Sequence, residues 1–210
     1  SPKQTAQQTD TTSVQDISNV PISNITSDKI SASVQGLRIS DVKLSDFNVA
    51  PDTDENVVLM GADDNFIEVG LIANGTTTPV ATTVWKRADN TYTWRNSDGV
   101  EFTRSIVPDG YTITITDTIT NKSGHDASFA PYARVVRDND MKSASGVASG
   151  AVAYVNSDVE DVMWQKLDKK SYAYSTTNGF AGFVDQYWET IVSIDTPDQT
   201  IRVKKVGDKY

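Results

Sequence analysis

At 210 residues the chain has room for one all-β domain or at most two small ones, and 38% hydrophobic residues with 4 Trp, 8 Tyr and 6 Phe supply a core beneath a polar surface. A formal net charge of -9, from 28 acidic and 19 basic residues with Lys and Arg scattered, argues against nucleic acid or an anionic membrane surface held by long-range charge. The absence of cysteine excludes a disulfide framework, a Cys-bearing zinc site and a thiol nucleophile.

Residues 1–27 hold Gln4, Gln7, Gln8 and a Thr/Ser-rich stretch from Thr9 to Ser13, with few large apolar side chains before Ile30. Such a segment buries too little to offset its ordering entropy, so a flexible tether is expected over 1–27 and a folded domain over 28–210. The first residue is Ser1 rather than Met, and no signal-peptide core follows, so the targeting element is expected elsewhere in a longer protein. The longest weakly polar run, Gly146 to Val155, falls well short of the roughly 20 apolar residues that span a bilayer.

From Asp28 onward the pattern is a series of short period-2 segments. Ile30, Ala32 and Val34 alternate; Leu37 to Leu44, Val57 to Met60, Phe66 to Ile72, Val80 to Arg87 and Tyr92 to Arg95 follow, separated by Asn, Asp, Gly and Pro. Short, closely spaced strands of this kind indicate an antiparallel sandwich. Asp98-Gly99 marks a tight hairpin, and Asn121 to Gly124 closes the next one.

Between them the alternation is strict. Tyr111, Ile113, Ile115 and Ile119 face one way and Thr112, Thr114, Thr116, Thr118 and Thr120 the other, while Val100, Phe102 and Ile106 form the apolar row of the preceding strand. Setting Ile106 opposite Tyr111 leaves Val107 to Gly110 as a four-residue loop, with Pro108 presetting φ and Gly110 taking the positive φ. Arg104 and Asp117 interrupt the apolar rows, so each is expected at a sheet margin or paired with a neighbour.

Ala127 to Arg137, a polar loop from Asp138 to Gly150, and a strand at Ala151 to Val155 come next. Val159, Val162, Met163 and Leu167 fit a helical face or a strand, and the spacing leaves both open. Ser171 to Thr176, Gly179 to Val184 and Trp188 to Ile194 again read as strands.

Catalytic signals are sparse. His125 is the single histidine and sits in the turn Ser123 to Asp126, where a solvated residue is the simpler reading than a general base. The acidic groups Asp52, Asp54 and Glu55, Asp63 and Asp64, and Asp138 and Asp140 lack the spacing that wraps a calcium ion, and neither a phosphate-cradling glycine loop nor a Gly-x-Ser-x-Gly elbow occurs. No cofactor and no metal is expected. Trp85, Trp94, Trp164 and Trp188 either pack a core or line a cleft that stacks on sugar rings or grips an extended peptide.

Three stretches carry a family resemblance. Asp28 to Leu44, a strand leading through Gly36 into a second strand that runs to Leu44 and Phe47, is similar to the opening hairpin of the large periplasmic domain of YidC-type bacterial membrane protein insertases. Gly99, Phe102 and Tyr111, within Asp98 to Arg104 and Tyr111 to Asn121, resemble that family's glycine-led strand and its successor ending in Asn. Gly150 to Tyr154, then Gly179 and Gly182, then Gln186, Tyr187 and Trp188, resemble its Gly-Gly-Trp segment and the aromatic triplet after it, although Phe180 and Ala181 depart from that pattern.

The resemblance covers most of Asp28 to Asp195 in the family's order. It implies an all-β antiparallel supersandwich of two packed twisted sheets with little helix, cut before a membrane core. It further implies a noncatalytic accessory domain in the periplasm, tethered to the inner membrane in the full-length protein. The implied partners are Sec translocon components and nascent membrane-protein clients. A carbohydrate-binding β-sandwich module is the alternative.

Overall fold

A computed structural model describes residues 15–61, 65–138, 150–185 and 187–210. The first stretch forms β1 (Ile22–Thr26), β2 (Ile30–Gln35), β3 (Arg38–Asn48) and β4 (Asn56–Met60), followed by β5 (Phe66–Asn74). Then come β6 (Lys86–Ala88), β7 (Thr91–Arg95), β8 (Val100–Asp109), β9 (Thr112–Asn121) and β10 (Ser128–Val136). The last third holds β11 (Gly150–Val155), β12 (Asp158–Met163), the single-turn helix α1 (Trp164–Leu167), β13 (Tyr172–Thr176), β14 (Gly179–Val184), β15 (Glu189–Ser193) and β16 (Gln199–Val203). All strand pairings between named strands are antiparallel.

The sheets group around two cores. In the N-terminal half, β1-β2-β3-β5-β10, with β4 on β3, faces the sheet β6-β7-β8-β9. Between them lie Ile25, Val34, Ile39 and Met60 from the first sheet and Tyr92 and Ile106 from the second. The C-terminal half pairs β12-β11-β14-β15 with β13-β16 around Ala151, Ala153, Val162, Phe183 and Ile201. Val135 packs on both cores, β10 runs beside β15, and Arg137 and Tyr210 exchange backbone hydrogen bonds of 2.9 Å, so the two halves are stitched along β10. The expected all-β antiparallel sandwich is present, its strands distributed over four sheets as two sandwiches in series. Phe66, Phe102, Leu44 and Met60 are among the fully buried side chains, each stabilising by about 1.5–3 kcal/mol relative to exposure.

Three sequence expectations need correction. The tether does not extend to Ser27: β1 pairs with β2 from Ile22↔Gln35 to Thr26↔Ser31, and Val20 and Ile25 are buried. A five-residue strand in a polar segment leaves too little periodicity to notice, and its stability comes from β2 and from the core beneath it. Val80 to Arg87 is mostly irregular, with a turn at residues 81–82 and only Lys86–Ala88 in β6. Here Thr83 Oγ1 accepts from the Val80 amide at 2.8 Å and the Thr83 amide donates to the Val80 carbonyl at 2.9 Å, a reciprocal turn that alternation cannot reveal.

The third correction is the β8–β9 register. Ile106 lies opposite Ile115, not Tyr111, and Asp109 opposite Thr112, so the connection is the two-residue turn Gly110-Tyr111. Gly110 has φ 53 while Tyr111 does not have positive φ, the signature of a turn with glycine first, whose twist matches that of the strands. The slip is an even number of residues, so the faces stand as expected: Ile113, Ile115 and Ile119 are half-buried and the Thr row is exposed. Ile115→Asp is accordingly expected to cost about 2 kcal/mol and Thr114→Asp under about 0.5 kcal/mol. Equal urea midpoints for the two variants would contradict this facing.

The Val159 to Leu167 segment takes both readings in turn, strand β12 and then one helical turn. The remaining strand, β16, carries the C-terminal pairing partner of β13.

Arg104 and Asp117 pair as expected. The guanidinium donates to both carboxylate oxygens at 2.7 Å, while Nη1 donates to the Val69 carbonyl of the opposite sheet at 2.8 Å. Nearby, Glu68 is buried between Arg38 (3.3 Å) and Arg134 (2.9 Å) and accepts from the Tyr132 hydroxyl at 3.1 Å. Burial, with the Glu68 charge behind it, pushes the Tyr132 phenol up to about 12.

Candidate functional site

Residues singled out from the sequence fall into two groups. Those in the N-terminal sandwich lie in its turns and core. Gly36 makes the β2–β3 turn at φ 62, where an added Cβ would overlap the Ala81 carbonyl. Gly99, at φ 92, ends a turn organised by Asn96, whose Oδ1 accepts from the Asp98 and Val100 amides at 3.0 and 2.9 Å. Phe102 is buried between the rings of Trp94 (5.6 Å) and Phe129 (5.9 Å). Tyr111 is exposed in its turn, its hydroxyl reaching Asp46 at 3.5 Å. The Asp46 carboxyl is held below its usual range by the hydrogen bond from Lys29.

The second group converges on one sheet. In β11 and β14, Gly150 pairs with Val184, Val152 with Gly182 and Tyr154 with Phe180. A Cβ on Gly150 would meet the Val162 carbonyl at 2.6 Å, one on Gly182 the Thr190 carbonyl and one on Gly179 the Tyr154 carbonyl, so glycine is required for these strands to approach. The alternation sends Ala151, Ala153 and Phe183 into the core and turns Val152, Tyr154, Phe180 and Gly182 to the other face, where Val152 and Gly182 are buried and Tyr154 and Phe180 half-buried. Tyr154 and Phe180 stack there with centroids 5.3 Å apart and planes 8° from parallel.

The neighbouring strands extend this face. Val159 lies opposite Tyr154, Met163 opposite Gly150 and Ile191 opposite Gly182. Val159 is 59% exposed, Met163 57% and Ile191 44%, high values for large apolar side chains that share one sheet face. At the β14–β15 turn Trp188 meets Phe47 of β3 edge-on at 4.7 Å and joins the two sandwiches, and Tyr187 is 75% exposed. Gln186 lies outside the described residues.

The four tryptophans do not share a cleft. Trp94 packs on Phe102, Trp164 on Phe183 (5.1 Å) and Tyr210 (4.6 Å), and Trp188 on Phe47. Trp85 lies beneath Arg104 at 5.5 Å and lines a cleft of about 200 Å³ with Val34, Tyr92 and Arg87; its Nε1 is buried with no hydrogen-bond partner.

His125 is exposed in its turn, where its carbonyl accepts from Asn121 at 2.8 Å. Asp52, Asp54 and Glu55 are exposed in the β3–β4 loop; Asp63, Asp64 and Asp140 lie outside the described residues. Asp138 is paired with Lys209 at 2.9 Å. No cluster of metal-ligating side chains occurs among the described residues, and no helix there is long and apolar enough to cross a membrane. The arrangement offers surfaces for binding.

The sequence reading did not single out Val159, Met163 and Ile191 as one surface. Their spacing within each strand is visible, but their assembly depends on the order β12-β11-β14-β15.

Comparison with known proteins supplies the family. Residues 23–209 match the family described as YidC periplasmic domain, beginning within β1. The membrane protein insertase YidC of Granulibacter bethesdensis is 26% identical over 200 residues, covering 83% of this chain and 34% of that protein. Its counterpart in Nitrobacter hamburgensis is 28% identical over 192 residues (80% and 31%). That of Maricaulis maris is 30% identical over 190 residues (80% and 32%). The chain thus spans about a third of the length of these relatives. With both sandwiches inside the matched range, the chain belongs to the YidC periplasmic domain family.

Proposed function

We propose that the chain is the noncatalytic accessory domain of an inner-membrane protein insertase, lying in the periplasm and docking Sec translocon components and client segments. The observation that carries this reading is the apolar outer face of β12-β11-β14-β15, where Gly150, Gly182 and the stacked rings of Tyr154 and Phe180 from the family-like motifs lie beside the exposed Val159, Met163 and Ile191. Binding by such a face needs no nucleophile, metal or perturbed acid. Membrane attachment would come from the parts of the full-length protein outside this chain, which the relatives' greater length leaves room for.

The test is made in cells. Deleting the segment corresponding to 28–210 from the full-length insertase is expected to leave much client insertion intact while weakening association with the translocon, scored by crosslinking and co-purification. Loss of insertion for every client, with the membrane part still folded and abundant, would contradict an accessory role.

A carbohydrate-binding reading has one observation in its favour, the Trp85 cleft with Tyr92, Arg87 and an unpartnered indole N–H. Glycan binding that Trp85→Ala abolishes would establish it.

A further inference from the structure

The four strands β11, β12, β14 and β15 contain Asp158, Glu160, Asp161 and Glu189 and not one Lys or Arg. All four carboxylates are exposed, and none has a Lys or Arg within salt-bridge distance among the described residues. Two of them share the outer face with the apolar side chains: Asp161 sits between Val159 and Met163 on β12, and Glu189 lies two residues before Ile191 on β15. Among the described residues the edge β12 pairs only with β11, so Val159, Asp161 and Met163 stand on the last strand of this sheet. We propose that this face takes an amphipathic protein segment that is apolar along one side and carries Lys or Arg at its flanks, a deeper statement of the docking reading on which it rests.

Apolar area and charge point to the same occupant. Tyr154, Phe180, Val159, Met163 and Ile191 offer an aromatic and aliphatic strip across four strands, wide enough to receive one face of a helix with apolar side chains at three- and four-residue spacing. Unpaired carboxylates in and beside that strip repel an anionic lipid surface and attract cationic flanks, which steers association and rejects acidic partners. The chain-wide charge of -9 acts in the same direction at longer range.

The probe is a synthetic amphipathic Leu/Lys peptide of about 18 residues, five helical turns, titrated against the full chain. It is expected to bind about tenfold or more tighter than a Leu/Glu peptide of the same pattern, with affinity falling as salt rises. The variant Val159→Lys with Met163→Lys, and separately Asp161→Lys with Glu189→Lys, should each weaken binding about tenfold. Neutralising the exposed Asp89 and Asp126, in the β6–β7 and β9–β10 loops of the N-terminal sandwich, should leave it within about twofold. Equal loss from that loop variant would reduce the binding to non-specific charge and overturn the proposal, as would equal affinity for the Leu/Glu peptide or recruitment to phosphatidylglycerol vesicles that the same face variants abolish. A photo-crosslinker at Met163 in the full-length insertase separates this inference from the docking reading. Crosslinks to translocon or client chains without peptide preference would leave docking standing and the cationic partner refuted; no crosslinks, with partner association unaffected by the face variants, would refute both for this face.

Discussion

Replacing Arg104 by Met is expected to lower the free energy of unfolding by about 3–5 kcal/mol, the cost of breaking a buried pair from one side. Arg104 is 3% exposed and its three hydrogen bonds run to Asp117 on the neighbouring strand β9 and to the Val69 carbonyl on β5 in the opposite sheet. Removing the guanidinium leaves a carboxylate whose side chain is only 18% exposed without its counter-charge, and a carbonyl without its donor. It also removes the cation above Trp85. Adding Asp117→Leu to Arg104→Met should recover a large part of the loss, because two apolar side chains then continue the rows of Ile106 and Ile115. Urea titration of the wild type, the single variant and the double variant checks both steps. A single-variant loss under about 1 kcal/mol would mean that the pair behaves as an exposed surface bridge.

This pair also shows what the sequence discloses and where it stops. Arg104 and Asp117 are visible as interruptions in strict apolar rows, and the requirement that they pair follows from the cost of an unpaired buried charge. The third bond, to Val69, was not legible, because it crosses between sheets whose stacking no local pattern encodes. The β8–β9 hairpin repeats the lesson: parity fixed which residues face inward, but the position of the turn depended on whether Pro108 and Asp109 could stay in the strand. They do, with Pro108 opposite Ile113. Strand β1 was hidden by a polar average over its segment, and the Val159–Met163 strip by a spacing that also fits a helix. The family motifs were legible as glycines and aromatics in order. The gathering of Gly150, Tyr154, Phe180 and Gly182 on one face needed the strand order, which brings β14 and β15 beside β11 and β12 across the intervening β13.

Gly36→Ala is expected to cost about 3 kcal/mol or more, against about 1 kcal/mol for Gly110→Ala, although both glycines have positive φ. At φ 62 and 53 the two backbones ask the same left-handed conformation of an L residue, so that part of the penalty is common to both. The surroundings differ. Around Gly110 a Cβ meets nothing within 4 Å, whereas at Gly36 it would overlap the backbone carbonyl of Ala81. That carbonyl has little room to retreat: Ala81 is buried, and the turn holding it is fastened by the Val80 amide donating to Thr83 Oγ1 at 2.8 Å and the Thr83 amide to the Val80 carbonyl at 2.9 Å. Relief therefore requires moving the segment that leads to Trp85 away from the β2–β3 turn, which opens the N-terminal core at Val34 and Leu37. For a domain of this size, thermal melts should fall by about 10 °C for Gly36→Ala and about 3 °C for Gly110→Ala. Equal shifts would show that backbone conformation alone, and not the close approach to Ala81, is what reserves the β2–β3 turn for glycine.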